Sequence, residues 1–155
     1  MSSNIGLGKR LRLAHMAFSR GLRVELAKED VSFGQFVHLE CLWQRDGLTQ
    51  KELSKRVGVE MASSTTILVE LETRGLVRRE RSTEDRRAIN VFLTPVGAAL
   101  KPRLLAAAAR VNAQARATLS PTQVEQLMAM LDMIAGDLTE TYPQAGHGGK
   151  QRLQV

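Results

Sequence analysis

Arg78, Arg79, Arg81, Arg86 and Arg87 fall within ten residues, a density of guanidinium groups suited to holding a polyanion. Just upstream, Ser63, Ser64, Thr65 and Thr66 place four hydroxyl side chains in a row. Hydroxyls can donate to or accept from base edges and phosphates, and a threonine methyl can touch a thymine methyl. The alternative is that two of the four only cap a helix or face solvent. Earlier still, Lys51, Lys55 and Arg56 form a basic group that reads either as sequence-independent phosphate anchors or as a solvated face.

No other chemistry competes with this cluster. There is no glycine-rich phosphate loop, no HExxH and no nucleophile elbow. His15, His38 and His147 lie far apart, and no Cys/His group has zinc spacing, so no metal or cofactor is expected. The single cysteine, Cys41, sits among Leu39, Leu42 and Trp43 and reads as a buried structural thiol. It cannot form an internal disulfide, and a reducing cytoplasm is the expected compartment. No N-terminal apolar run suggests a signal peptide, and no stretch is long and apolar enough to span a membrane. The net charge of +6 over 155 residues is spread evenly along the chain, apart from the arginine cluster.

The elements that must position these residues are mostly helical. Leu7, Leu11, Ala14, Phe18, Leu22 and Leu26 recur at helical spacing, with His15 on the same inward stripe. Ser32 and Gln35 have capping-box spacing and open a second, largely apolar helix to about Arg45. Thr49 and Glu52 repeat the device for a third helix, which ends at Val57. A fourth helix spans about Glu60 to Arg74, with Ile67, Leu68 and Leu71 inward and Gly75 at its end. Leu76 to Arg81 and Ile89 to Leu93 alternate as two strands joined by the polar segment Ser82 to Arg87. Thr94-Pro95 opens an alanine-rich helix to about Ala117, with Pro102 inside its first turns, and Ser120-Pro121 caps a last helix. The expected architecture is therefore mainly α with a small β wing, a winged helix-turn-helix between long terminal helices. Residues 1–155 form a single domain on this reading: 7–45 and 95–142 are the dimerisation and effector helices, 48–94 the winged helix-turn-helix and 143–155 a disordered tail.

This order, with the words LTQKELSKRVG (48–58), LVELETRGLVRRE (68–80) and EDRRAINVFLTPVG (84–97), resembles the MarR family of winged helix-turn-helix transcription regulators. The resemblance runs from about Leu7 to Leu138. Leu71, Glu72, Gly75, Leu76, Val77, Arg78, Asp85, Arg86, Arg87, Leu93, Thr94 and Gly97 match the family pattern. It implies that the fourth helix enters the major groove of double-stranded DNA and that Arg86 enters the minor groove. Arg87 would pair with Asp85 to hold the wing, and Arg78 would lie at the same interface. Many relatives carry a basic residue near the place of Thr66, and this chain does not.

The long amphipathic terminal helices, with their alanine-rich faces, read as a pairing surface for a second copy of the chain, packing back onto the same chain being the alternative. The resemblance implies small phenolic or carboxylate effectors bound where the dimer and DNA-binding regions meet. His15 and Arg20 would hold an anionic head there, and Phe18, Phe33, Phe36 and Trp43 would form an apolar wall. The plainer reading of His15 is a core histidine bonded to backbone. The expected function is a homodimeric, effector-released repressor on a pseudo-palindromic operator. The alternative is a winged-helix module that binds protein; an enzyme would need a catalytic set that the sequence does not offer.

Overall fold

The computed structural model describes residues 6–143, so His147 and the expected tail from 144 onward lie outside the described residues. Two compact units divide between Ala115 and Arg116. The first holds α1 (Leu7–Ala27), α2 (Phe33–Gln44), β1 (Leu48–Thr49), α3 (Gln50–Val57), α4 (Met61–Thr73), β2 (Val77–Arg81), β3 (Ile89–Leu93), α5 (Pro95–Ala99) and nearly all of α6 (Lys101–Arg116). The second holds α7 (Pro121–Thr141).

The helix starts follow from local chemistry. At Ser32, Thr49 and Ser120 the side-chain oxygen accepts the backbone N–H three residues on, while Gln35, Glu52 and Gln123 reach back to the cap's own N–H. Thr94 also caps, and Pro95 follows where no backbone N–H is needed.

The sheet has three strands in the order β1-β3-β2, all antiparallel neighbours. Sequence reading anticipates two of them. β1 covers only Leu48 and Thr49, opposite Val91 and Asn90, and its residues were expected to open α3. The expected single alanine-rich helix is also two: α5 stops at Ala99 and α6 begins at Lys101. Pro102 has no N–H to give the Ala98 carbonyl, so helical hydrogen bonding is interrupted there.

The core lies in the first unit. Leu26, Leu39, Leu53, Leu68, Leu71, Val91, Leu104 and Ala107 are fully buried. Leu68 and Leu71 bring α4 into that core, as the apolar stripe requires. Leu71→Ala is expected to cost about 2–5 kcal/mol in a urea melt; a loss below about 1 kcal/mol would place Leu71 in a site that collapses freely. Two ion pairs tie α6 to the end of α1: Arg110 to Glu25 at 2.7 Å and Arg103 to Glu29 at 2.5 Å. Taken alone, α7 buries none of its residues and exposes Leu127, Met128, Met130, Leu131, Met133 and Leu138.

Candidate nucleic-acid interface

The wing is a stiff hairpin. Ser82 donates its N–H to the Ala88 carbonyl, and Ala88 donates to the Asp85 carbonyl, each at 2.9 Å. The Ser82 hydroxyl oxygen accepts from the N–H groups of Glu84 and Asp85. Asp85 Oδ1 accepts the Arg87 backbone N–H at 2.9 Å. Asp85 thus holds the turn through the main chain, and the expected guanidinium pairing gives way to this contact. Among the described residues, the Arg87 guanidinium has no acidic partner.

The five arginines divide by role. Arg79 is tied down: Nε and Nη2 reach Glu72 Oε2 at 2.9 and 2.8 Å, its N–H reaches Glu72 Oε1 and Nη1 reaches Gln50. Those bonds anchor β2 to the end of α4, and Arg79's hydrogen bond holds the Glu72 carboxyl below the usual range. Arg78 pairs with Glu80 and lies over the Phe92 ring, 4.5 Å from its centroid. Both contacts hold it against the sheet and compete with the DNA contact expected of it. Arg81, Arg86 and Arg87 are exposed and, among the described residues, form no ion pair. The free cations therefore gather at the tip end of the wing.

On α4 the four hydroxyls also separate. Ser64 is not available to DNA: it is fully buried, and its Oγ lies 2.9 Å from His38 Nε2. The signal was present in the sequence, because Ser64 precedes Leu68 by four residues and Leu71 by seven, on one helical stripe. Thr65 and Thr66 donate their hydroxyls to the carbonyls of Met61 and Ala62 at 2.8 and 3.2 Å. Their protons are committed, leaving methyls and oxygen lone pairs to face a partner. Ser63 and Thr66 are exposed and Thr65 is half-buried. Lys51, Lys55 and Arg56 are exposed along α3.

The six residues expected to gather around an effector have different surroundings. His15 is exposed, against the inward placement that its stripe implied, and Ser19 Oγ is 3.4 Å from its ring. Phe36 is core and meets Trp43 edge-on at 6.4 Å; Trp43 Nε1 donates to the Gly97 carbonyl at 3.2 Å. Phe18 and Phe33 pack against the core, with Arg23 over the Phe33 ring. Arg20 lines a sizeable cleft among the described residues. About 530 Å³ in volume, this cleft lies between α1 and α6 and is lined by Arg20, Val24, Glu25, Arg110, Val111 and Gln114, with Ala17 and Gly21 between them. Among the described residues no group of three His, Cys, Asp or Glu is placed to hold a metal ion, and no helix is long and apolar enough to cross a membrane. Cys41 is half-buried, and burial pushes its thiol pKa up, away from reactivity.

Burial holds the His38 pKa below its ordinary value, partly offset by its bond to the Gly34 carbonyl. A lowered histidine contributes stability above the unfolded value, which is lost as pH falls through the folded one. Glu72, Glu25 and Glu52 are also lowered, by hydrogen bonds to Arg79, to Lys28 and Arg110, and to Thr49. Unfolding free energy is therefore expected to decline in two stages, first below about pH 6.5 and again below about pH 4.5. Urea melts from pH 8 to 4 check this; stability unchanged between pH 7 and 5 would contradict the His38 assignment.

A stiff wing tethered to the second helix of a helix-turn-helix matches known regulators. The MarR family model matches residues 31–89, from the start of α2 to the wing. The repressor Rv2887 of Mycobacterium tuberculosis is 32% identical over 103 residues, covering 66% of this chain and 74% of that one. The chain belongs to the MarR family. The regulator TtmR of Methylorubrum extorquens is 32% identical over 130 residues, covering 84% of this chain but only 64% of its own length. Among solved structures, MarR of E. coli in its apo form superposes with a TM-score of 0.78 at 25% identity, covering 86% of this chain and 98% of that one. A structure of Rv2887 in complex with salicylic acid gives 0.70 at 27% identity, covering 86% and 99%. Against this MarR-family frame, the winged helix-turn-helix architecture expected from the sequence holds.

Proposed function

We propose that this chain is a DNA-binding transcriptional repressor, acting as a homodimer on a pseudo-palindromic operator and released by a small aromatic carboxylate. The observation that carries the reading is the placement of Arg81, Arg86 and Arg87, exposed and, among the described residues, without ion pairs, on a wing whose root is fixed to α4 through Glu72 and Arg79. A rod and a finger held in fixed relation suit a major groove and the minor groove beside it. Lys51, Lys55 and Arg56 supply phosphate contacts that set orientation without reading sequence.

The dimer is supported by exposed apolar side chains on α1 (Leu7, Leu13, Met16 and Val24) and on α7. Faces of this kind are costly in water and suit an isologous contact with a second copy. Two α4 helices about 34–36 Å apart would then meet successive major grooves.

For the effector, the cleft between α1 and α6 offers Arg20 beside apolar Val24 and Val111, while Arg110 is already paired with Glu25, so Arg20 is the group that would take the head of an aromatic acid. Rv2887 has been solved with salicylic acid, which makes salicylate the probe to try first. An effector that favours the DNA-incompetent arrangement releases the operator by population shift.

The test is selection of duplexes from a random pool, followed by titration of the enriched duplex. Affinity is expected to fall about 10³-fold between roughly 50 and 200 mM salt, since each neutralised phosphate releases counterions. Salicylate is expected to weaken binding in the wild type and less so in Arg20→Ala. Salt-insensitive binding, or no binding to any duplex, would overturn the DNA reading; indifference to salicylate would remove the effector assignment alone.

A further inference from the structure

We propose that His38 is a positioning residue for DNA reading, holding α4 through Ser64 in the one roll and register that lets its short side chains reach the bases. The inference rests on α4 being the recognition helix.

The link is a directional chain. His38 Nδ1 lies 2.7 Å from the Gly34 carbonyl, which can only accept, so Nδ1 carries the proton. Nε2 is then a bare acceptor, and the Ser64 hydroxyl, 2.9 Å away, donates to it. Both residues are fully buried, so water cannot replace either partner.

The contact is one end of a seam along α2 and α4. At the other end, Gln35 Nε2 donates to Glu70 Oε2 at 3.1 Å, and Arg74 Nη1 donates to Gln35 Oε1 at 2.8 Å. Between them Gly34 leaves room for Ile67: a Cβ at Gly34 would come within 2.8 Å of Ile67 Cδ1. Ser64 and Glu70 are six residues apart, about 9 Å along a helix. Two polar attachments at that separation fix both rotation and translation. Leu68 and Leu71, on the same helix, would tolerate a small slide, because apolar packing is forgiving of small shifts where hydrogen bonds are not.

Position matters more here than on a helix with long reading residues. Ser63 and Thr66 are short, and they flank the buried Ser64 on the exposed side of α4. A hydrogen bond to a base edge from so short an arm requires close approach, and a shift of about half an ångström is enough to carry it out of the favourable range.

The test separates positioning from stabilising. A duplex enriched from a random pool by the wild-type chain is compared with a scrambled duplex of equal length, and the affinity ratio is the readout. Ser64→Ala leaves Nε2 buried without a donor, so both the melting temperature and the ratio are expected to fall. His38→Leu/Ser64→Ala removes both polar partners, and the melting temperature is expected to recover towards wild type. The ratio is expected to remain about tenfold lower, with scrambled-duplex affinity unchanged.

A double variant that regains the wild-type ratio along with its melting temperature would overturn the proposal, as would equal losses on both duplexes. Should the double variant not fold, Ser64→Cys keeps the side chain's shape with a somewhat larger atom and weakens the donor; the same selective loss is expected, and an unchanged ratio would overturn. Failure of the wild type to enrich any duplex would instead overturn the DNA reading itself, and this inference with it.

Discussion

Arg86→Ala is expected to weaken binding to an enriched duplex at least tenfold and to leave the melting temperature unchanged. The second half follows from the wing's construction. Its tip is closed by Ser82, Asp85, Arg87 and Ala88 through backbone and short side-chain bonds, none of which uses the Arg86 side chain. The first half follows from charge and shape. Arg86 is exposed and, among the described residues, has no acidic partner, so no internal bond must break before it reaches DNA. A guanidinium in a narrow minor groove meets enhanced negative potential and responds to groove width. Removing one such cation also lowers the salt slope, by about one for each chain bound. Titrations at several salt concentrations beside a thermal melt would decide it. A loss of melting temperature by several degrees would assign Arg86 a structural role.

Gly97→Ala is expected to cost about 3 kcal/mol, lowering the melting temperature by about 10 °C. A Cβ at this buried position would sit 2.0 Å from the Leu76 carbonyl oxygen and 2.9 Å from its carbon. Both are backbone atoms, so no change of rotamer relieves the clash. The surroundings are also cross-linked. Thr94 donates its N–H to the Leu76 carbonyl and its hydroxyl to Gly75, Gly97 donates to Thr94 Oγ1, and Trp43 donates to the Gly97 carbonyl. The knot joins the end of α4, the root of the wing and α5, so movement to accommodate a methyl group breaks several bonds together. Differential scanning calorimetry of the variant checks this; a wild-type transition would contradict the close approach.

What the sequence made legible was whatever is encoded over a few residues. The capping boxes at Ser32, Thr49 and Ser120 need only four residues each, and all three start helices as expected. The alternation of Ile89 to Leu93 likewise yields β3. β1 was not legible because a two-residue strand exists only by pairing with Val91 and Asn90, some forty residues away. The break at Leu100 was signalled by Pro102, read as a place to bend the helix, while the alanine-rich run beyond it favoured one continuous element. His15 shows another limit of periodicity. It shares a stripe with Leu11, Phe18 and Leu22, yet Leu7, Leu13 and Met16 beside it are also exposed, because none of the described residues of the first unit covers that half of α1. A stripe reveals that a face prefers burial without naming what buries it.

The candidate interface was legible in kind and blurred in detail. The arginine cluster was plain, but Arg78 and Arg79 are held by Glu80, Phe92 and Glu72, pairings set by the hairpin register and by the fold. Ser64 was counted among the reading residues because its type is polar, while its position on the Leu68 and Leu71 stripe pointed inward. Where residue type and periodicity disagree, a buried partner such as His38 reconciles them.

The central claim is that two copies of the chain grip one duplex. Sedimentation or light scattering of the chain mixed with an enriched duplex measures this directly. The account predicts a mass of two chains per duplex, with the free chain already dimeric. A complex of one chain per duplex, formed from a free chain that stays monomeric at micromolar concentration, would contradict it.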